Sequence, residues 1–180
     1  MSIIDKVKGY LRSRILQKKL EGRRRNRQAG SLATAGEIFV IYDASEEYQN
    51  KLTEDFFAEL KSMDIKVKSL GYARYKIIPH YCIPQLTRQF ICKKDLNFLG
   101  IPALPYLDDC LNEEFDLLIS LDMSQDPVFQ YIAALSKARC KVGWNDPANL
   151  PYYDFLVKGK DGDLSDFISQ LIKYLSINKS

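Results

Sequence analysis

Histidine occurs once in this 180-residue chain, at His80, and tryptophan once, at Trp144. The four cysteines, Cys82, Cys92, Cys110 and Cys140, include no C-x-x-C pair. A zinc site needs clustered sulfur and nitrogen ligands and a redox dithiol needs the paired motif, so no metal and no cofactor are expected. Buried, reduced thiols are the simpler reading. No run approaches the roughly 20 apolar residues that cross a bilayer. The N-terminus also lacks the apolar core and small-residue cleavage site of a secretory signal, which predicts a cytoplasmic protein. Glycine is sparse, with nine residues, and it is missing from the turns Tyr42-Asp-Ala-Ser-Glu46 and Asp122-Met-Ser124. Loops that cradle phosphate need glycine there, and both turns are acidic, so a Rossmann-type nucleotide site is not expected.

What is present is a globular composition, 46% hydrophobic and 27% charged, in a chain long enough for one domain. The net charge of +3 hides an asymmetry. Residues 1–28 carry Lys6, Lys8, Arg12, Arg14, Lys18, Lys19, Arg23, Arg24, Arg25 and Arg27 against Asp5 and Glu21, a balance of +8 that leaves −5 for the remainder. Ile4, Val7, Leu11 and Ile15 are spaced three and four apart, which predicts a helix with one apolar stripe over this arm. The glycine-bearing stretch 29–36 reads as a linker.

From residue 37 to 178 the pattern predicts a single α/β domain. Glu37–Tyr42 is a nearly continuous apolar run, as a strand covered on both faces should be. Ser45 with Glu46 and Glu47 predicts a capped helix start, and that helix runs to about Met63. Strands are predicted at Lys66–Leu70, Phe115–Leu121, Cys140–Gly143 and Tyr153–Lys158. Asp126 followed by Pro127 starts one further helix and Asp163 another. The proline-rich stretch 71–112 is harder to place, with a short strand at Gln89–Cys92 and a helix at Tyr106–Leu111. Repeated strand–helix–strand units imply a three-layer sandwich with a mostly parallel sheet, Rossmann-like or flavodoxin-like.

Ligands of such sheets bind at the carboxyl ends of the strands, which makes Asp43, Ser45, Asp122, Ser124, Trp144 and Asn145 the candidate rim site. Acids at strand ends also cap helices and close turns, and a lone tryptophan is commonly a packing residue. His80 and Cys82 could pair as base and nucleophile, although with Pro79 and Pro84 bracketing the segment an ordinary loop is the simpler reading.

Two resemblances follow. Phe115-Asp-Leu-Leu-Ile-Ser-Leu-Asp122, the helix ending Ala133-Ala-Leu-Ser-Lys-Ala-Arg139 and Lys141-Val-Gly143 together resemble part of the N-terminal domain of heptosyltransferase-type glycosyltransferases. That likeness covers residues 115–143 and implies architecture more than catalysis. Over nearly its whole length the chain is similar to a family of small uncharacterised α/β proteins of Bacteroidetes-type bacteria. The similar features are the basic N-terminal helix, Ile41-Tyr-Asp-Ala44, Lys93-Lys-Asp-Leu-Asn-Phe-Leu-Gly-Ile-Pro102, Asn112-Glu-Glu-Phe-Asp-Leu-Leu-Ile119 and Tyr131-Ile-Ala-Ala-Leu-Ser-Lys137. This second resemblance implies a fold and no activity.

The expected function is therefore that of a non-enzymatic binding or adaptor protein. Its arm engages an anionic surface, RNA or a ribosome first and an anionic inner-membrane surface second, and its acidic body is open to a protein partner. The alternative is a minimal glycosyltransferase-like or nucleotide-binding enzyme that uses the rim, with Asp43, Asp122 or Lys93-Lys94-Asp95.

Overall fold

The computed structural model describes residues 3–177. Positions 1–2 of the arm and 178 of the predicted domain lie outside the described residues. The sheet has six strands: β1 (Glu37–Asp43), β2 (Lys66–Ala73), β3 (Arg88–Cys92), β4 (Leu117–Ser120), β5 (Cys140–Trp144) and β6 (Phe155–Val157). Their spatial order is β3-β2-β1-β4-β5-β6, and every adjacent pair is parallel. Ile38 at the centre pairs with Val67 on one side and Leu117 on the other. The continuous apolar runs that predicted strands correspond to this burial, for all four residues of β4 and all five of β5 are buried.

Two helices cover each face. On one side α2 (Glu47–Ser62) and α5 (Leu164–Ser176) pack Phe56, Leu60, Phe167 and Leu171 against the sheet. On the other, α3 (Pro105–Asn112) and α4 (Pro127–Leu135) contribute Leu107, Leu111, Phe129 and Ile132. Asp126 caps α4 through the Val128 N–H and Asp163 caps α5 through the Asp166 N–H, as their sequence positions predict. Ser45 does not cap α2, which begins at Glu47 without any side-chain cap. Its hydroxyl instead donates to Asp43 Oδ1 at 2.5 Å and accepts from the Arg74 N–H at 2.9 Å. The charged acceptor two residues back is the stronger partner.

The arm is a helix, α1 (Ile3–Leu20), with no fully buried residue. It lies against α4, where Ile15 and Leu16 join the apolar cluster of that face. The rest of the predicted stripe is largely exposed: Ile4, Val7 and Leu11 are 65%, 52% and 40% exposed. Residues 21–36 then cross the amino-terminal ends of the strands, from the α4 face to the α5 face. The Gln28 N–H donates to Arg139 O, Gly30 sits on Leu117 and Cys140, and the Leu32 N–H donates to Leu175 O at the end of α5. Leu32 is buried in the opposite apolar cluster. We call this segment the strap.

Candidate anion-binding cleft

In a parallel sheet of this strand order the ligand crevice opens at the carboxyl ends of β1 and β4, where the order reverses. Arg74, next after β2, fills that place. Its guanidinium reaches Asp43 at 3.1 Å, Asp122 at 3.1 Å and Asp126 at 3.2 Å, and it also donates to the Ser124 hydroxyl. Burial pushes the Asp122 carboxyl up, opposed by bonds from the Ser124 hydroxyl, the Asp126 and Ser124 N–H groups and the charge of Arg74. A cleft of about 350 Å³ adjoins this network. Of the predicted rim residues, Asp43, Ser45, Asp122 and Ser124 thus come together, each bonded to Arg74. Trp144 also lines this cleft, although it is 7% exposed and packs edge-on to Phe167 at 5.0 Å. Asn145 is exposed, and its N–H donates to Val157 O.

The other candidates lie apart from this network. His80 is exposed and rests against Tyr81, whereas Cys82 is buried, donates to Ala44 O, and has its thiol pushed up to about 11 by burial. A thiol so raised is a poor nucleophile at neutral pH. Lys93 and Lys94 are exposed on a single 3-10 turn that Asp95 closes by accepting from the Cys92 N–H.

The arm cations divide into two groups. Lys6, Arg14, Lys18, Lys19, Arg24 and Arg27 are exposed, with Lys8 and Arg12 half-buried. Arg23 and Arg25 turn inward. Arg23 donates to Leu111 O, in the last turn of α3, where helix carbonyls are unpaired and the dipole is negative. Arg25 forks onto both oxygens of Asp154, at 2.7 and 2.5 Å. Burial pushes the Asp154 carboxyl up, but the Arg25 fork and charge, with the Lys141 N–H, hold it below its ordinary value.

These two arginines form part of a cleft of about 540 Å³ between α1, the strap, the end of α4 and the loop before β6. Arg23, Arg25, Arg27, Lys137 and Lys141 line it, against Asp154 as the only carboxylate among its lining residues. The remaining wall is largely apolar and aromatic, with Leu16 and Leu20 from α1 facing Leu150 and Tyr152. Lys141, on β5, is the innermost cation at 5% exposure. Its ammonium donates to Ala133 O and Ala134 O in the last turn of α4. Burial lowers its pKa to about 7, and the charge of Arg25 acts in the same direction. The arrangement is suited to holding an anion, which would restore the charge that burial withdraws.

A model of DUF6913, a family of unknown function, matches residues 8–177. The chain belongs to DUF6913. No curated protein matches it. In this DUF6913 protein the cleft and the Arg74 network both lie inside the family-matched span. No helix among the described residues is long and apolar enough to cross a membrane.

Composition did not reveal Arg74, Lys137, Lys141, Tyr152 or Asp154 as site residues of the DUF6913 chain. One signal was available. Lys141 interrupts the apolar strand Cys140–Trp144, and a charged residue inside such a strand must find partners or lose its proton.

Proposed function

We propose that this protein is a non-enzymatic RNA-binding or adaptor protein that holds a phosphate backbone with α1 and the strap. One observation carries the reading: the arm builds a wall of the cleft in which five cations face a single carboxylate. The exposed lysines and arginines of α1 extend this positive surface along a helix about 27 Å long, enough to meet several phosphates. The acidic body is repelled by the same phosphates, which sets the orientation of binding and leaves that body for a protein partner. A structured RNA such as a ribosome surface, in the cytoplasm, is the partner class this reading favours.

Glutamine at Lys6, Lys8, Arg14 and Lys18 tests it by filter binding to a structured RNA across a salt series. Removing four phosphate contacts is expected to flatten the slope of log K against log salt by about 3 to 4. An unchanged slope and affinity would refute the reading. Substitution is cleaner than deleting residues 1–28, because deletion also removes the Arg23 and Arg25 bonds to the domain.

A second reading has its own observation. Ile3, Val7, Tyr10 and Leu11 form an outward apolar face on α1 with lysines and arginines around it, the composition of a helix lying in an anionic lipid interface. Sedimentation with anionic vesicles that is lost in Val7→Ser/Leu11→Ser, without loss of RNA binding, would favour that peripheral membrane role.

A further inference from the structure

The cleft is built for more than charge. A bare phosphate would leave the apolar wall of Leu16, Leu20, Leu150 and Tyr152 unused, and an apolar peptide would leave the cations unused. A ligand that is flat at one end and anionic at the other uses both. We propose that the cleft receives a single nucleotide of the RNA, its base laid against Tyr152 and its phosphate held by Lys137, Arg27 and Lys141. This rests on the reading of the partner as RNA.

The volume of about 540 Å³ falls within the roughly 300–1,000 Å³ of small-molecule sites. Three of the cations have capacity left for a ligand. Lys137 has no ion-pair partner among the described residues and is half-buried in the wall. Arg27 keeps 79% of its side chain exposed and comes no nearer than 3.9 Å to Asp154. The Lys141 ammonium has three donors, two of which go to Ala133 O and Ala134 O, leaving one for a phosphate oxygen. Arg25 neutralises the one opposing charge by its fork on Asp154. Tyr152 is half-buried where the β5–β6 loop meets the apolar cluster that also holds Leu16, so its ring is held by packing before a base arrives. The site lies at the amino-terminal side of β5 and β6, across the sheet from the Arg74 network. It is therefore separate from the crevice that other parallel α/β proteins use.

The test is calorimetric titration of the full chain with uridine 5′-monophosphate at low salt, beside filter binding to RNA. Wild type binds the nucleotide, and Tyr152→Ala weakens it roughly ten-fold or more. Tyr152→Phe keeps the ring and the affinity, which separates lost stacking from lost folding. Lys137→Gln also weakens the nucleotide. The four-glutamine α1 variant loses RNA and keeps the nucleotide, because none of its positions lines the cleft. RNA binding without nucleotide binding, or Tyr152→Ala with wild-type affinity, overturns the cleft assignment. Nucleotide binding without RNA binding overturns the RNA reading and leaves the cleft as a site for a free nucleotide.

Discussion

Gly30→Ala measures directly whether the strap belongs to the domain. A Cβ at this position would stand 2.3 Å from Leu117 Cδ2, 2.8 Å from Cys140 Cβ and 3.2 Å from its sulfur. Favourable carbon contacts begin at about 3.5 Å, so the overlap with Leu117 exceeds 1 Å. Leu117 is fully buried in β4, and the Cys140 Cβ is fixed to the backbone of β5, so neither can move aside cheaply. Overpacking of this kind costs about 1–3 kcal/mol, and the double clash puts Gly30→Ala near the upper end. The entropy that alanine removes from the unfolded chain returns about 0.4–1 kcal/mol, for a net loss of about 2 kcal/mol. With a urea m-value of about 2–3 kcal/mol/M, the midpoint should fall by nearly 1 M. Gly9→Ala is the internal control, since nothing lies within 4 Å of its Cβ and it sits inside α1; helix propensity makes it neutral or stabilising by up to about 1 kcal/mol. In Leu117→Ala the clash partner is gone, so adding Gly30→Ala there should cost less than it does in wild type. A Gly30→Ala midpoint within about 0.2 M of wild type would refute the packing described for the strap and make residues 29–36 a loose connector.

Three further outcomes follow from the ion pairs and buried groups. Arg74→Met leaves Asp43, Asp122 and Asp126 facing one another and should cost about 2–3 kcal/mol, discounted from the 3–5 of a fully buried pair because Arg74 is one-third exposed. Asp122 then takes up a proton more readily in the folded state than unfolded, so the deficit should shrink between pH 7 and pH 5 in urea titrations; a deficit independent of pH would count against the network. Lys141 titrates near 7 when folded and at its ordinary 10.5 when unfolded, so between these values the unfolded chain holds the extra proton and stability rises with pH. Wild type should therefore gain about 2–3 kcal/mol on Lys141→Met from pH 7 to pH 9, and no gain would mean that the amine is not desolvated. All four cysteines are buried, with Cys82 and Cys110 pushed up to about 11 and Cys140 also raised. A thiol reagent should modify the native protein only slowly and label four groups after unfolding, whereas rapid native labelling would contradict the packing.

The fold was legible where physics is local. Ile38–Tyr42 and Leu117–Ser120 are apolar without alternation, which only a two-sided sheet rewards, and the caps Asp126 and Asp163 carry their signal within three residues. Ser45 was misread because its oxygen looks the same in sequence whether it caps a helix or answers Asp43 and Arg74. Gly30 was misread for a related reason: glycine marks both freedom and close approach, and only the facing Leu117 and Cys140 decide between them. The cleft was illegible because its cations come from two stretches more than a hundred residues apart, at Arg23–Arg27 and at Lys137–Lys141, joined only when the strap passes under the sheet. The apolar stripe of α1 was real in spacing, yet only Ile15 is half-buried against the domain, since docking there uses Leu16 beside it as well.

The strap also changes what α1 would be as a binding element under the proposed function. A basic tail that ordered itself on RNA would lose about 1–2 kcal/mol of backbone entropy per residue at the moment of binding, and over the 18 residues of this helix that would consume most of what the phosphates return. Here the strap is fixed by Gly30 wedged on the sheet, Leu32 in the far cluster and Arg25 forked on Asp154, and α1 is seated on α4 by Ile15 and Leu16. On the proposed RNA reading, the cations would meet the phosphates from a helix already formed and seated on α4 through Ile15 and Leu16. A preformed helix of that kind would discriminate between polyanions by the spacing of their charges, where a flexible tail would accept any of them.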